Sequence, residues 1–234
     1  MRSIWLIAIS LIAMSTLLTC CRQPDSAPKP APKVSIEASP PPSFLTDPRP
    51  VIACFGDSIT AGFGLDPGQS FPALLQQDLD RHALNQRGYR YRVANLGVSG
   101  DTTQDGLARL PLLLAEKPAI VVLELGANDG LRGLPVSVTE NNLAEIIQAI
   151  QKAGARVLLA GMTLPPNYGP AYIRKFEAVY SSLAARYQLA WIPFLLAGVG
   201  GNADLMQRDG LHPNAGGARQ VEVTVMKALT PLLK

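Results

Sequence analysis

Residues 50–234 alternate between two hydrophobic periods, and that alternation restricts the chain to a narrow group of folds. Short runs rich in β-branched and aliphatic side chains occupy 51–55, 91–96, 120–125, 157–160 and 189–193. Between them lie longer stretches with apolar residues at helical spacing, over 71–84, 107–115, 141–153 and 172–187, and a last helix is expected over 215–233. Strands that alternate with helices of this length run parallel, because each return crosses a face of the sheet, and both faces end up covered. The expected architecture is α/β: three layers, α/β/α, around a flavodoxin-like five-stranded parallel sheet.

In such sheets ligands bind beyond the carboxyl ends of the strands. Four polar loops fall there. Gly56-Asp57-Ser58 follows the first strand and Gly97-Val98-Ser99-Gly100-Asp101 the second. Gly126-Ala127-Asn128-Asp129 follows the third, and Asp209-Gly210-Leu211-His212-Pro213 comes after the fifth. Four polar loops on one edge make a site.

The chain holds two histidines, and they differ in company. His82 follows Phe71, Leu74, Leu75 and Leu79 at helical spacing and reads as structural. His212 stands three residues after Asp209, so a carboxylate that folds back can hold its Nδ1 proton and leave Nε2 free as a base. Ser58, on a turn after a glycine, is the matching nucleophile; taken alone it reads more readily as the N-cap of the next segment. Gly100 reads as an oxyanion-binding amide or as a helix-entry turn with Asp101 or Thr102 as cap. Asn128 reads as a neutral oxyanion donor or as part of an ordinary turn. No metal site is expected, since no second histidine or cysteine cluster offers further ligands. The Gly-x-Ser-x-Gly elbow of the common α/β-hydrolases occurs nowhere in the chain.

The N-terminal fifth differs in character. Met1-Arg2-Ser3 carries one positive charge, residues 4–18 are almost wholly apolar, and Cys20-Cys21 closes the run. That stretch is short for a membrane span and resembles a secretory signal ending in a bacterial lipobox, with Cys20 or Cys21 as the acylated residue. Residues 1–21 are therefore expected to be a signal or lipoprotein-type segment, with an uncleaved anchor or plain secretion as alternatives. Residues 22–49 contain eight prolines and too little apolar surface to fold, so they read as a tether able to reach roughly 80 Å. Residues 50–234 form the expected catalytic domain; their 16 basic and 15 acidic side chains give no electrostatic case for nucleic acid. The remaining cysteine, Cys54, lies in an apolar run and reads as a small buried hydrophobe.

Taken together, Gly56-Asp57-Ser58, the Gly100 turn, Gly126-x-Asn128-Asp129 and Asp209-x-x-His212 resemble the four blocks of the SGNH (GDSL) hydrolase family, in the same order. Leu96-Gly97-Val98-Ser99-Gly100-Asp101-Thr102-Thr103, Leu123-Glu124-Leu125-Gly126-Ala127-Asn128-Asp129-Gly130 and Leu164-Pro165-Pro166-Asn167-Tyr168-Gly169 are most similar to its bacterial arylesterase, thioesterase I and lysophospholipase L1 branch. The resemblance implies Ser58 as nucleophile, His212 as base and Asp209 as its orienter, with Ser58, Gly100 and Asn128 forming the oxyanion hole. It implies hydrolysis of carboxylic esters or thioesters without a cofactor, here by a protein tethered in the bacterial cell envelope and facing the periplasm or exterior. Rival expectations are a deacetylase of envelope or extracellular polysaccharide and a lipoprotein that binds a ligand without turning it over. The proline- and glycine-rich segment 163–172 suits either an acyl-binding wall or a plain surface loop.

Overall fold

The computed structural model describes residues 47–84 and 89–233. The expected export segment, Cys20, Cys21 and most of the proline-rich stretch lie outside the described residues. Five parallel strands, β1 (Val51–Gly56), β2 (Arg92–Gly97), β3 (Ile120–Glu124), β4 (Arg156–Ala160) and β5 (Ala190–Ile192), pair in the order β2-β1-β3-β4-β5. Strand order reverses between β1 and β3, so the crevice beyond their carboxyl ends is the topological switch point of the sheet.

β1 and β3 are buried at every position, which explains sequences that are apolar up to Glu124 at the end of β3; neither has a face that meets water. Ile52, Phe55, Val121 and Leu123 are fully enclosed by α2 (Phe71–Leu84), α3 (Thr103–Ala115), α5 (Val136–Lys152), α6 (Pro170–Tyr187) and α7 (Ala215–Leu229) and by the neighbouring strands. Cys54 is buried in β1, and burial pushes its thiol pKa up, so it behaves as the expected small hydrophobe. His82 lies half-buried in the last turn of α2, edge-on to Tyr89.

Several boundaries differ from expectation for local reasons. α3 begins four residues earlier than its apolar spacing suggested, because Thr102 and Asp105 close a capping box at its start. The final helix ends at Leu229, and Thr230–Leu232 continue as a 3₁₀ turn containing Pro231. Two short helices carry no periodic signal: α1 (Ser58–Ala61), and α4 (Ala127–Leu131) where an Asn-Asp-Gly turn was expected. Gly126 precedes α4 as its N-cap, and its φ of 113° permits the sharp exit from β3.

The strand register sets the level of the site. Gly56 lies opposite Gly97 on one side and Glu124 on the other. α1 then packs directly on β2: a Cβ on Gly97 would meet the backbone of Thr60 and Ala61. Gly97→Ala should therefore force α1 outward and cost about 1–3 kcal/mol as an overpacked site. Urea unfolding measures this, and a midpoint equal to the parent's would contradict the packing.

Candidate active site

Three loops leave the adjacent ends of β1, β2 and β3, and a fourth reaches them from the far side. α1 opens with Ser58, and its cap is Asp57, whose Oδ1 accepts from Ile59 N at 3.0 Å. The N-cap reading of Ser58 is thus corrected: the carboxylate one residue earlier satisfies the helix amide and leaves the serine hydroxyl for another partner. That partner is His212, with Nε2 2.9 Å from Ser58 Oγ across a separation of 154 residues.

The other face of the imidazole is fixed within its own loop. His212 Nδ1 lies 2.7 Å from Asp209 Oδ2, while Asp209 Oδ1 accepts from the Leu211 and His212 amides at 2.9 and 3.0 Å. Burial alone would raise the Asp209 pKa, but these three hydrogen bonds and the imidazole outweigh it and hold it at about 2. The carboxylate is ionised at any working pH. Phe63, half-exposed after α1, tilts its ring against the imidazole at 4.6 Å between centroids.

On the opposite side of Ser58 stand Gly100 and Asn128. Gly100 has φ of 89° and its carbonyl accepts from Arg132 at 2.8 Å. Among the described residues, the N–H groups of Ser58 and Gly100 have no acceptor. Asn128 uses both protons of Nδ2, donating to Asp101 O at 2.9 Å and to Asp57 Oδ2 at 3.2 Å. Arg109 braces this wall: it donates to Asp101 Oδ2 at 2.6 Å, to Leu96 O and to Gly56 O, and lies over the Phe55 ring. Thr102 is the cap of the Gly100 turn, one of the two residues expected there. The neighbouring Asp129 locks α4 to α3, accepting from Thr103 N at 2.8 Å and Thr103 Oγ1 at 2.5 Å. Ser58, Asn128 and His212 thus line one cleft, with Asp209 behind the imidazole and Gly100 in the loop that Asn128 reaches through Asp101 O.

That cleft has a volume of about 510 Å³, within the range of small-molecule sites. Its walls include Ile59, Leu131, Met162, Leu164, Phe194 and Leu196. Segment 163–172 splits between its two expected roles. Residues 163–166 line the cleft, whereas the Tyr168 and Tyr172 hydroxyls anchor the remainder to Leu131 O and Leu134 O. No group of three or more His, Cys, Asp or Glu among the described residues is arranged to hold a metal ion.

Sequence reasoning missed the acids beneath the site. Asp57 and Glu124 are both buried; Glu124 Oε2 accepts from Thr60 Oγ1 at 2.7 Å and Asp57 N at 3.2 Å. Burial pushes the Asp57 pKa up to about 6, against the pull of the Ile59 amide, a hydrogen bond with Glu124 and His212. Burial, followed by the Asp57 charge, raises Glu124 well above the usual carboxyl range, so it is the protonated member. The available signal was a single acid ending an otherwise apolar strand, Ile120-Val121-Val122-Leu123-Glu124.

A serine, a histidine and a carboxylate linked by hydrogen bonds thus stand at the switch point of a flavodoxin-like sheet. Residues 54–220 match the GDSL-like lipase/acylhydrolase family, and the chain belongs to it as an ester-hydrolysing enzyme. It is 51% identical to the esterase TesA of Pseudomonas aeruginosa over 179 residues, which is 76% of this chain and 87% of that protein. It is 38% identical to the thioesterase 1/protease 1/lysophospholipase L1 of Escherichia coli K12, over 76% of this chain and 82% of the relative. The crystal structure of TesA superposes with a TM-score of 0.73 at 50% identity, covering 78% of this chain and 99% of that one.

The buried acid pair has a signed consequence for stability. Both carboxyls bind protons more tightly folded than unfolded, so the pair disfavours the folded state at high pH. That penalty is relieved as pH falls through about 6 for Asp57 towards its unfolded value of 3.8. Glu124→Gln keeps the acceptor and removes the titration. The melting-temperature advantage of this variant over the parent should be largest near pH 8 and shrink towards pH 4. A difference that does not vary with pH would refute the pairing.

Proposed function

We propose that the protein is a serine esterase acting on carboxylic esters or thioesters with an apolar acyl chain. The observation that carries this reading is the hydrogen-bond series from Ser58 Oγ through the His212 ring to Asp209, set at the mouth of an apolar cleft. Ser58 Oγ attacks the acyl carbon as its proton passes to His212 Nε2, and the carbonyl π pair moves onto oxygen. The amides of Ser58 and Gly100 and one N–H of Asn128 receive that charge. The Asn128 bond to Asp57, the longer of its two at 3.2 Å, is the one that yields to the oxyanion. Collapse of the intermediate breaks the acyl–oxygen or acyl–sulfur bond, and the proton on His212 goes to the leaving alcohol or thiol. Water, deprotonated by His212, then frees the acid and regenerates Ser58. Asp209 stays ionised and keeps the other imidazole proton on Nδ1.

The apolar lining favours acyl groups longer than acetyl over acetylated polysaccharide, and the Ser58–His212–Asp209 hydrogen bonds favour a turnover enzyme over a passive binder. Ser58→Ala should lower p-nitrophenyl ester hydrolysis by about 10⁴-fold or more and abolish labelling by an organophosphonate. In the parent, kcat/KM should rise from acetyl to medium-chain esters. Parent-level turnover by folded Ser58→Ala would refute the nucleophile, and a preference for acetylated sugars would favour the deacetylase reading.

The reading includes a location drawn from the sequence: a bacterial envelope lipoprotein, acylated on Cys20 or Cys21 and held off the membrane by the proline-rich tether. Metabolic labelling with a fatty acid should mark the full chain and be lost in Cys20→Ala or Cys21→Ala. Absence of label in the parent would remove the anchor.

A further inference from the structure

His212 belongs to a segment with little regular structure. Between β5 and α7 the chain turns repeatedly, and its register is held by one antiparallel bridge, Met206 with Pro213, flanked by Asn214 N→Leu205 O at 2.9 Å and Gln207 N→His212 O at 2.8 Å. The bonds between Asp209 and His212 lie within this hairpin. They orient the ring but say nothing about its distance from Ser58. A nucleophile and its base must stay within about 2.6–3.2 Å, and a displacement of roughly 1 Å costs on the order of 10²-fold in rate.

Gln207 supplies a link between the two. Its Nε2 donates one proton to Phe63 O at 2.7 Å and the other to Pro213 O at 3.0 Å. Phe63 closes the turn after α1, and its own N–H donates to Ser58 O at 3.0 Å. A continuous series therefore runs from the Ser58 carbonyl through Phe63 and the Gln207 side chain to the carbonyl of Pro213, the residue after His212. Gly64 allows the approach: its φ is 72°, and a Cβ there would abut the Gln207 amide. Gln207 does not line the acyl cleft.

We propose that Gln207 is a positioning residue: its carboxamide fastens the His212 hairpin to the Ser58–Phe63 turn and thereby sets the separation of the serine hydroxyl from the imidazole. The proposal rests on the reading of His212 as the base. Neither N–H can be replaced by a hydrocarbon or a carboxylate, since both acceptors are main-chain carbonyls.

Two variants separate hydrogen bonding from packing. Gln207→Glu keeps the shape and removes the amide donors; Gln207→Leu removes all polarity. Both should lower kcat for a p-nitrophenyl ester about 10–100-fold, leave KM within twofold, and slow phosphonate labelling of Ser58 by the same factor. In a His212→Ala background, Gln207→Leu should change the residual rate less than twofold, because the strut then has no base to place. Gln207→Glu with parent kcat, or an equal fall in both backgrounds, overturns the proposal while base dependence stands. Parent-level turnover by His212→Ala alone overturns the base assignment, and the strut with it.

Discussion

The in-register pairing of β1 with β2 and β3 is the constraint from which the site follows. Because Gly56 is level with Gly97 and Glu124, three loops leave the sheet at one height, and side chains from each reach a common point. Parallel pairing supplies this without any loop having to travel. The pairing is costly to alter, since β1 and β3 are enclosed on both faces and a shift of one residue would drive Glu124 into the hydrocarbon layer. The site is therefore attached to the least deformable part of the molecule on its Ser58, Gly100 and Asn128 sides. Its fourth side, the His212 hairpin, has no strand beneath it and relies on hydrogen bonds.

Much of this was legible in the chain because period and chemistry are local signals. Apolar runs without alternation announced buried parallel strands, and the polar blocks after them announced the edge where they meet. The limits were equally physical. α1 and α4 are too short to show a period, and each is defined by a single turn-forming residue, Asp57 and Gly126, whose geometry depends on the strand it leaves. Glu124 reads as a surface acid at the end of a strand until the sheet places the Asp57 carboxylate beside it. Gln207 gives no signal at all: its acceptors, Phe63 O and Pro213 O, are main-chain atoms that any sequence possesses. Ser58 illustrates the remaining ambiguity, because capping and nucleophilic serines occupy the same kind of turn, and only the neighbour's carboxylate decides between them.

The buried acids show how a polar site is built into an apolar sheet. Asp57 caps α1 and accepts from Asn128, so its charge serves both the helix that carries Ser58 and the amide opposite. Glu124, carrying its proton, satisfies the Asp57 amide and the Thr60 hydroxyl without adding a second charge. A neutral amide in place of Asp57 would give comparable hydrogen bonds but would lack the negative potential that faces the imidazole. Arg109, ion-paired with Asp101, braces the adjoining wall, where its guanidinium also ties Leu96 O to Gly56 O.

The uneven support beneath the two halves of the site bears on how the enzyme fails when heated. Segments held by few buried apolar contacts open at lower free energy than the strands of a core. Between the buried ends of its hairpin, Met206 and Pro213, the stretch 207–212 is such a segment, with Asp209, Gly210 and Leu211 exposed. Thermal inactivation should then begin as a reversible departure of the imidazole from an otherwise intact sheet. Turnover would fade while far-ultraviolet dichroism still reports a folded protein, and cooling would restore it until the core itself melts.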